Sequence, residues 1–314
     1  MDRALFKTTV KVLPAVIALA LLVLVWRVAD GENAIRHLAG ADPRWLAAAL
    51  LALTAQTVLS AFRWQLTAGQ LGIVLDRGTA LREYYLAQMV NQALPGGVLG
   101  DAGRAMRSRA QAGLVSSGQA VLFERLAGQI ALLAIFGVAV VGSLIVPGVF
   151  AWPGWLLTPV VIGLVGSVIA LVLLGLPGLR LPGRVGRALA SFWATGLHAL
   201  AAREVRGRQV LLSVGTALCN IVGFACCAAA IGVTLPPATA VIVVPMILFA
   251  MLIPVSVSGW GLREGAAAAL LPLAGASAAE GLAASVAFGV AFLVCALPGI
   301  LAVRVAARPR SGSS

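Results

Sequence analysis

Apolar positions run almost unbroken through six stretches of the chain, 12–26, 45–62, 118–146, 156–176, 209–232 and 281–303. A helix needs about 20 apolar residues to cross the hydrocarbon layer, so the pattern predicts six full crossings. The first run also has the outline of a signal peptide, because Arg3, Lys7 and Lys11 precede it. Arg27 follows it directly, however, which reads as an uncleaved first helix. Residues 184–203 obey a different rule. There Val185, Leu189, Phe192, Trp193, Leu197 and Leu200 recur at helical spacing between arginines, the pattern of an amphipathic helix lying along the membrane surface or of a plain connecting helix.

Two further apolar segments are interrupted. The first, LAQMVNQALPGGVLGDAGRAMRSR, has basic residues on both flanks. A crossing would put one basic cluster on the wrong side of the bilayer, whereas a re-entrant hairpin satisfies both. Pro95 ends a helix-compatible run, Gly96, Gly97 and Gly100 supply turn conformations, and a second helix is expected near Asp101. The second segment, MILFAMLIPVSVSGWGLREGAAAALL, repeats the plan with Pro254, Gly259 and Gly261 at its break. Pro95, Gly100 and Arg104 have the same spacing as Pro254, Gly259 and Arg263, with an offset of 159 residues, close to half of the 314.

Basic clusters orient these elements. Arg3, Lys7 and Lys11, then Arg63, Arg77 and Arg82, then the arginines between 180 and 208, and finally Arg304, Arg308 and Arg310 all fall on one side. By the positive-inside rule that side is cytoplasmic, and both termini with it. The loops 147–155 and 233–239 carry no charge and suit the opposite face. The halves, about 10–146 and 156–304, then become mirror images, with one hairpin dipping from the cytoplasm and the other from outside. Interrupted helices at corresponding positions of inverted halves point to a transporter's central site. The expected fold is therefore a single all-α integral membrane domain over 1–314, in the inner membrane. It has eight hydrophobic helical elements, six crossings and two hairpins, arranged as an inverted-topology repeat.

Composition agrees and narrows the function. Hydrophobic residues make up 61% of the chain and charged residues 11%, against about 25% charged in soluble domains. The net charge of +12 belongs to topology-setting loops, and no stretch interleaves basic and aromatic residues in a polar surface, so nucleic acid is excluded as a partner. The cysteines Cys219, Cys226, Cys227 and Cys295 lack metal or redox spacing. With His37 and His198 the only histidines, neither a metal site nor a Ser-His pair assembles. No cofactor is expected, and no nucleotide-binding loop appears.

Charges at membrane depth are costly and mark function. Asp101, Arg104, Glu124, Arg125, Arg263 and Glu264 qualify. Arg104 or Arg107 would partner Glu124, and Asp101 would partner Arg125. One reading is a structural network that pins the hairpin. The other adds a ligand, because Arg104 and Arg263 each follow a turn at the start of a half-helix, where free N–H groups and a forked guanidinium favour a phosphate.

Several motifs resemble the flippase-like transmembrane domain of lysylphosphatidylglycerol synthases and its stand-alone relatives. They are Ala61-Phe62-Arg63-Trp64, the stretch from Asn91 through Pro95, Gly96 and Gly97 to Gly100, Asp101 and Arg104, the Glu124-Arg125-Leu126 run, and Gly259-Trp260-Gly261-Leu262-Arg263-Glu264. The resemblance covers nearly the whole chain. It implies that Asn91, Asp101, Arg104, Glu124, Arg125, Arg263 and Glu264 line a lipid path or hold its gates. In two-domain members this domain translocates aminoacylated phosphatidylglycerol made by a C-terminal domain. Here the sequence ends at Ser314, soon after its last predicted crossing, so the resemblance implies translocation without synthesis.

The expected function is thus a flippase for an anionic or aminoacylated phospholipid, or for an isoprenoid- or hopanoid-type lipid, working by alternating access and not as an enzyme. Its partners would be membrane lipids, with a second copy of the chain or a lipid-biosynthetic enzyme besides. Two other classes stay open. A metal-dependent lipid-modifying enzyme would need Asp101, Glu124 and Glu264 to converge, and a non-catalytic partner of a lipid-synthesis complex would not need Arg104 or Arg263.

Overall fold

The computed structural model describes residues 16, 19–93, 97–175, 183–252 and 259–300, which are helices and their connections with no strand among them. In chain order the helices are α1 Leu19–Val28, α2 Gly31–Ala39, α3 Pro43–Gln70, α4 Arg77–Ala93, α5 Leu99–Ile145, α6 Gly154–Gly175, α7 Gly183–Ala201, α8 Arg206–Ala230, α9 Pro237–Phe249, α10 Leu262–Leu270 and α11 Ala278–Ala296. Among the described residues five helices, α3, α5, α6, α8 and α11, are long and apolar enough to cross a membrane. They contain five of the six expected crossings. The remaining one, 12–26, lies largely outside the described residues, where only α1 represents it. Pro95, Gly96 and Pro254 also lie outside them.

Local chemistry sets the helix starts. Asp42 caps α3 by accepting the Arg44 N–H at 2.8 Å, with Pro43 at the first helical position, where its missing N–H costs nothing. Asp76 caps α4, accepting from the Thr79 N–H at 2.9 Å. Ser277 and Glu280 form a reciprocal capping box before α11. The mixed-charge loop between the first two crossings folds into α2, amphipathic and only nine residues long.

Helices α3 and α8 pack along their length, because α8 offers small residues to α3. A Cβ at Gly223 would stand 2.8 Å from Leu53, and one at Gly215 would stand 3.1 Å from Leu59. Without a hydrophobic drive between helices in lipid, such close approach is the main source of attraction. Leu53, Phe224, Ile242, Ile247, Leu282 and Phe288 form the buried centre where α3, α8, α9 and α11 meet. Helix α6 stands apart, with an almost wholly exposed apolar surface that suits contact with lipid.

The first interrupted segment is helix, break, helix. Gly97 has φ 61, the left-handed region, and the chain resumes as α5 at Leu99. Gly100 therefore lies inside α5, not in the turn. Its small size serves contact, since a Cβ there would fall 2.0 Å from the Ala87 carbonyl oxygen of α4. Helix α5 is itself broken at Gly113, where φ 81 and ψ 166 are open almost to glycine alone. The 47 residues of α5 are thus a short arm, 99–112, packed on α4, and a longer helix from 114 that contains the expected third crossing.

The second interrupted segment passes from α9 through the 3₁₀ turn Ala250–Leu252 to two left-handed glycines, Gly259 at φ 81 and Gly261 at φ 85, and then into α10. A glycine again permits the return. A Cβ at Gly281 of α11 would meet the Ala267 carbonyl of α10 at 2.4 Å. Helix α7 occupies the expected amphipathic segment. Phe192, Gly196 and Ala199 turn inward, with Phe192 against Phe123 of α5 at 4.9 Å between ring centres, while Leu189 and Leu197 stay exposed.

Candidate functional site

The first cluster grows from Glu124 on the long part of α5, fully buried at 0% exposure. A lone carboxylate at that depth is not tolerated, and two arginines hold it. Arg63 of α3 donates to Oε1 through both Nη2 at 2.6 Å and Nε at 3.2 Å, two donors converging on one oxygen. Arg104, on the short arm of α5, reaches Oε2 with Nη2 at 3.4 Å and Asp101 one turn earlier at 2.9 Å. Tyr84 of α4 donates its hydroxyl to Oε1 at 3.3 Å. The Arg104 guanidinium is also sandwiched, 4.5 Å from the Trp64 ring centre and 4.6 Å from that of Tyr84, a geometry in which each ring face attracts the cation.

Arg125 completes the perimeter. It pairs with Asp101 and donates to the Gly97 carbonyl at 3.2 Å, which ties the long helix to the chain beside the break. Asn91, near the end of α4, accepts the Gly100 N–H at 2.7 Å and so satisfies a free donor in the first turn of α5. Asn91 thus ties α4 to the short arm, while Arg63, Tyr84, Asp101 and Arg104 tie α3, α4 and the short arm to Glu124 and Arg125 of the long helix.

The second cluster sits at the start of α10. Arg263 and Glu264 are 2% and 0% exposed and pair with each other, Nη2 to Oε1 at 2.5 Å. Ser285 of α11 accepts from Arg263 Nε at 3.0 Å and donates to Glu264 Oε1 at 3.1 Å. Glu264 Oε2 accepts the Gly261 N–H at 2.6 Å, capping its own helix. Arg263 lies 5.0 Å from the Trp260 ring centre and 5.4 Å from that of Phe288. Gly289 makes room, since a Cβ there would be 2.3 Å from the guanidinium.

All seven expected site residues therefore take part, in two groups. Asn91, Asp101, Arg104, Glu124 and Arg125 gather at the first break, and Arg263 and Glu264 at the second. Asp101 does partner Arg125, and Arg104 does reach Glu124, while Arg107 turns instead to Glu83. Arg63 departs from its reading as a loop charge. It is 4% exposed within α3 and is the principal partner of Glu124. The signal for it lay in the length of α3, which runs on to Gln70, and in Gly128 one turn beyond Glu124, where a Cβ would stand 2.9 Å from Arg63. Trp64 and Trp260 stand in motifs that carry the resemblance but have no role in the sequence reading, and Tyr84, Ser285 and Phe288 have none either, because single aromatic and hydroxyl residues beside apolar runs do not reveal which charge they will face. Among the described residues no three histidine, cysteine, aspartate or glutamate side chains are placed to share a metal ion, and Glu264 belongs to a different cluster from Asp101 and Glu124.

Compared with known families, residues 11–299 match the one described as Lysylphosphatidylglycerol synthase TM region. No curated protein matches the chain.

Proposed function

The chain belongs to the lysylphosphatidylglycerol synthase TM region family, and from that premise we propose that this multi-pass membrane protein moves a lipid between leaflets. The passenger is an anionic or aminoacylated phospholipid, or a lipid of the isoprenoid or hopanoid type. The two interrupted segments act as re-entrant hairpins from opposite faces, with both termini cytoplasmic in an inner membrane and the halves related as inverted repeats. Asp101, Arg104, Glu124 and Arg125 control one side of the path and Arg263 and Glu264 the other. The activity is transport and not catalysis.

One observation carries this reading. Each broken helix restarts beside an arginine that is 1–2% exposed, stacked between aromatic rings and held by a carboxylate. Burying a cation twice in so apolar a chain is expensive. A purely structural role would be met as well by apolar packing, which is often more stable than a buried ion pair. Ion pairs that can open and re-form suit a gate that alternates between two states. Close glycine contacts, Gly100 on Ala87 and Gly281 on Ala267, keep each half-helix rigid while it moves.

The test is leaflet exchange of labelled lipids in proteoliposomes, comparing the protein with Arg104→Gln and Arg263→Gln after each variant's fold has been checked. Loss of exchange in both variants is expected. Equal exchange in all three proteins would overturn the proposal.

A further inference from the structure

Helices α3 and α8 run antiparallel, and two contacts fix their register. Leu53 meets Gly223 toward one end, Gln209 Nε2 donates to Thr67 Oγ1 at 3.0 Å toward the other, and the residue numbers of both pairs add to the same total. That register sets Arg63 level with Ser213, Ser60 with Thr216 and Gln56 with Asn220. Polar residues on α3 fall at 56, 60, 63 and 67, and on α8 at 209, 213, 216 and 220, so each helix carries one polar stripe along one face. The stripes meet at Thr67 and Gln209, and all eight side chains except Asn220 are buried.

Polar side chains between helices in lipid ordinarily bond across the interface and hold it together. This seam does so at one level of four. Among the described residues only the Gln209–Thr67 bond crosses it, while Thr216 donates to the Leu212 carbonyl at 2.7 Å and Gln56 to Ser60 at 3.2 Å, each within its own helix. Gln209 Oε1, Ser213 Oγ and Arg63 Nη1, in residues only 3–5% exposed, have no protein partner. Gln209 and Ser213 are one turn apart on α8, and Thr67 and Arg63 one turn apart on α3, so these groups occupy two adjacent levels of a single interface. Buried polar atoms of this kind call for a partner.

Their chemistry selects it. The Gln209 carbonyl only accepts, the Arg63 N–H only donates, and the Ser213 hydroxyl does either. An anion would face the carbonyl, a cation would face the guanidinium, and an apolar filler would leave all three unpaired. The charge of Arg63 is already met by Glu124 at 2.6 Å. Water both donates and accepts, and with two to four polar partners it becomes a fixed part of a protein interior.

The stripe has one closed and one open end. Past Gln56 the interface turns to Leu53, Gly223 and Phe224, where Leu53 and Phe224 are fully buried. Past Gln209 it reaches the start of α8 at the exposed Arg206 and Arg208. From Thr67 to Gln56 the stripe extends about 16 Å along the helix, roughly half of a ~30 Å hydrocarbon layer.

We propose that this half of the α3–α8 interface is a hydrated seam, which takes up water from the Arg206–Arg208 end and holds it between Gln209, Ser213 and Arg63. Water then meets the Arg63 N–H that Glu124 leaves unused, and a buried ion pair is wetted from one end of the bundle. The inference goes beyond the transport reading and does not depend on it.

The experiment is solid-state NMR of the full, isotopically labelled chain in lipid bilayers, following magnetisation from water protons to side-chain carbons. Ser285 is the internal control, because it is the same residue type, 0% exposed, and partnered by both Arg263 and Glu264. Transfer to Ser213 is expected to build up several-fold faster than transfer to Ser285 and to approach that of the exposed Arg208. Equal build-up at the two serines, whether fast or slow, would overturn the inference, and this comparison needs no variant. In the double variant Ser213→Ala/Gln209→Met two of the three groups are gone, and transfer to Thr67 and Arg63 should fall to the Ser285 level. Transfer to both that is unchanged in the folded variant would also overturn it.

Discussion

Arg63 and Arg104 clasp opposite oxygens of one carboxylate, with Arg63 Nη2 at 2.6 Å from Glu124 Oε1 and Arg104 Nη2 at 3.4 Å from Oε2. Because α3 supplies one arginine and the short arm of α5 the other, Glu124 is the joint between the short arm and the helix pair α3–α8. Removing its charge leaves two guanidiniums buried beside a neutral amide. Glu124→Gln should therefore destabilise the protein by about 3–5 kcal/mol, read as a lowered unfolding midpoint in micelles. Glu83→Gln, which breaks the more exposed pair with Arg107, should cost no more than about 1 kcal/mol. Similar losses for both would show that the joint carries no special strain.

Gly100 and Gly118 both lie in α5, yet adding a methyl group should act in opposite directions. At Gly100 the new Cβ would stand 2.0 Å from a backbone carbonyl of α4, which has no flexible end to yield. Gly100→Ala should force α4 and the short arm apart and cost about 1–3 kcal/mol or more. Nothing lies within 4 Å of a Cβ at Gly118, so Gly118→Ala should gain about 0.4–1 kcal/mol. Unfolding midpoints of the two variants, measured side by side, check the sign of each.

The hydrophobic pattern made most helices legible because a bilayer demands length and apolarity from each crossing, and both are local properties. The interrupted segments were legible for the same reason in reverse, through Gly97 and Gly259. Gly100 reads as a turn residue because a glycine needed for close approach and one needed for a turn look alike in sequence. Only the partner, Ala87, distinguishes them. Arg63 reads as a loop charge because it ends an apolar run, and its true environment depends on Glu124, which is remote in the chain. Gly113 gave no warning, as its break is set by where the short arm must sit and not by its neighbours in sequence.

Asp76 supplies a pH-dependent element outside the crossings. Hydrogen bonds from the Thr79 side chain and backbone hold its carboxyl below the usual aspartate value. A depressed folded pKa means that the protonated form loses more in the folded state. The cap's contribution is therefore complete above the unfolded value of about 3.9 and is lost as pH falls through the lower folded value. Hydrogen exchange at the Thr79 amide should show constant protection from neutral pH down to about 4 and falling protection below it. Asp76→Ala should remove that step and leave protection low throughout. A step of unchanged size in the variant would assign it to another group.

Gly113 offers the sharpest separation of backbone strain from side-chain packing, because no atom lies within 4 Å of where a Cβ would be. Its φ 81 and ψ 166 nonetheless exclude other residues at a cost of about 1–3 kcal/mol. Gly113→Ala could shed that strain by letting α5 run straight, but two ion pairs span the break, Arg104 with Glu124 and Asp101 with Arg125, and hold the bend closed. The single variant should therefore lose stability while keeping its shape, and the triple variant Gly113→Ala/Glu124→Gln/Arg125→Gln should straighten. Spin labels at the exposed positions Met106 and Val138 report the difference. Their separation should be unchanged in Gly113→Ala and should lengthen in the triple variant toward the ~48 Å of an uninterrupted helix over that interval. Straightening in the single variant would show that the ion pairs do not hold the short arm against the long helix.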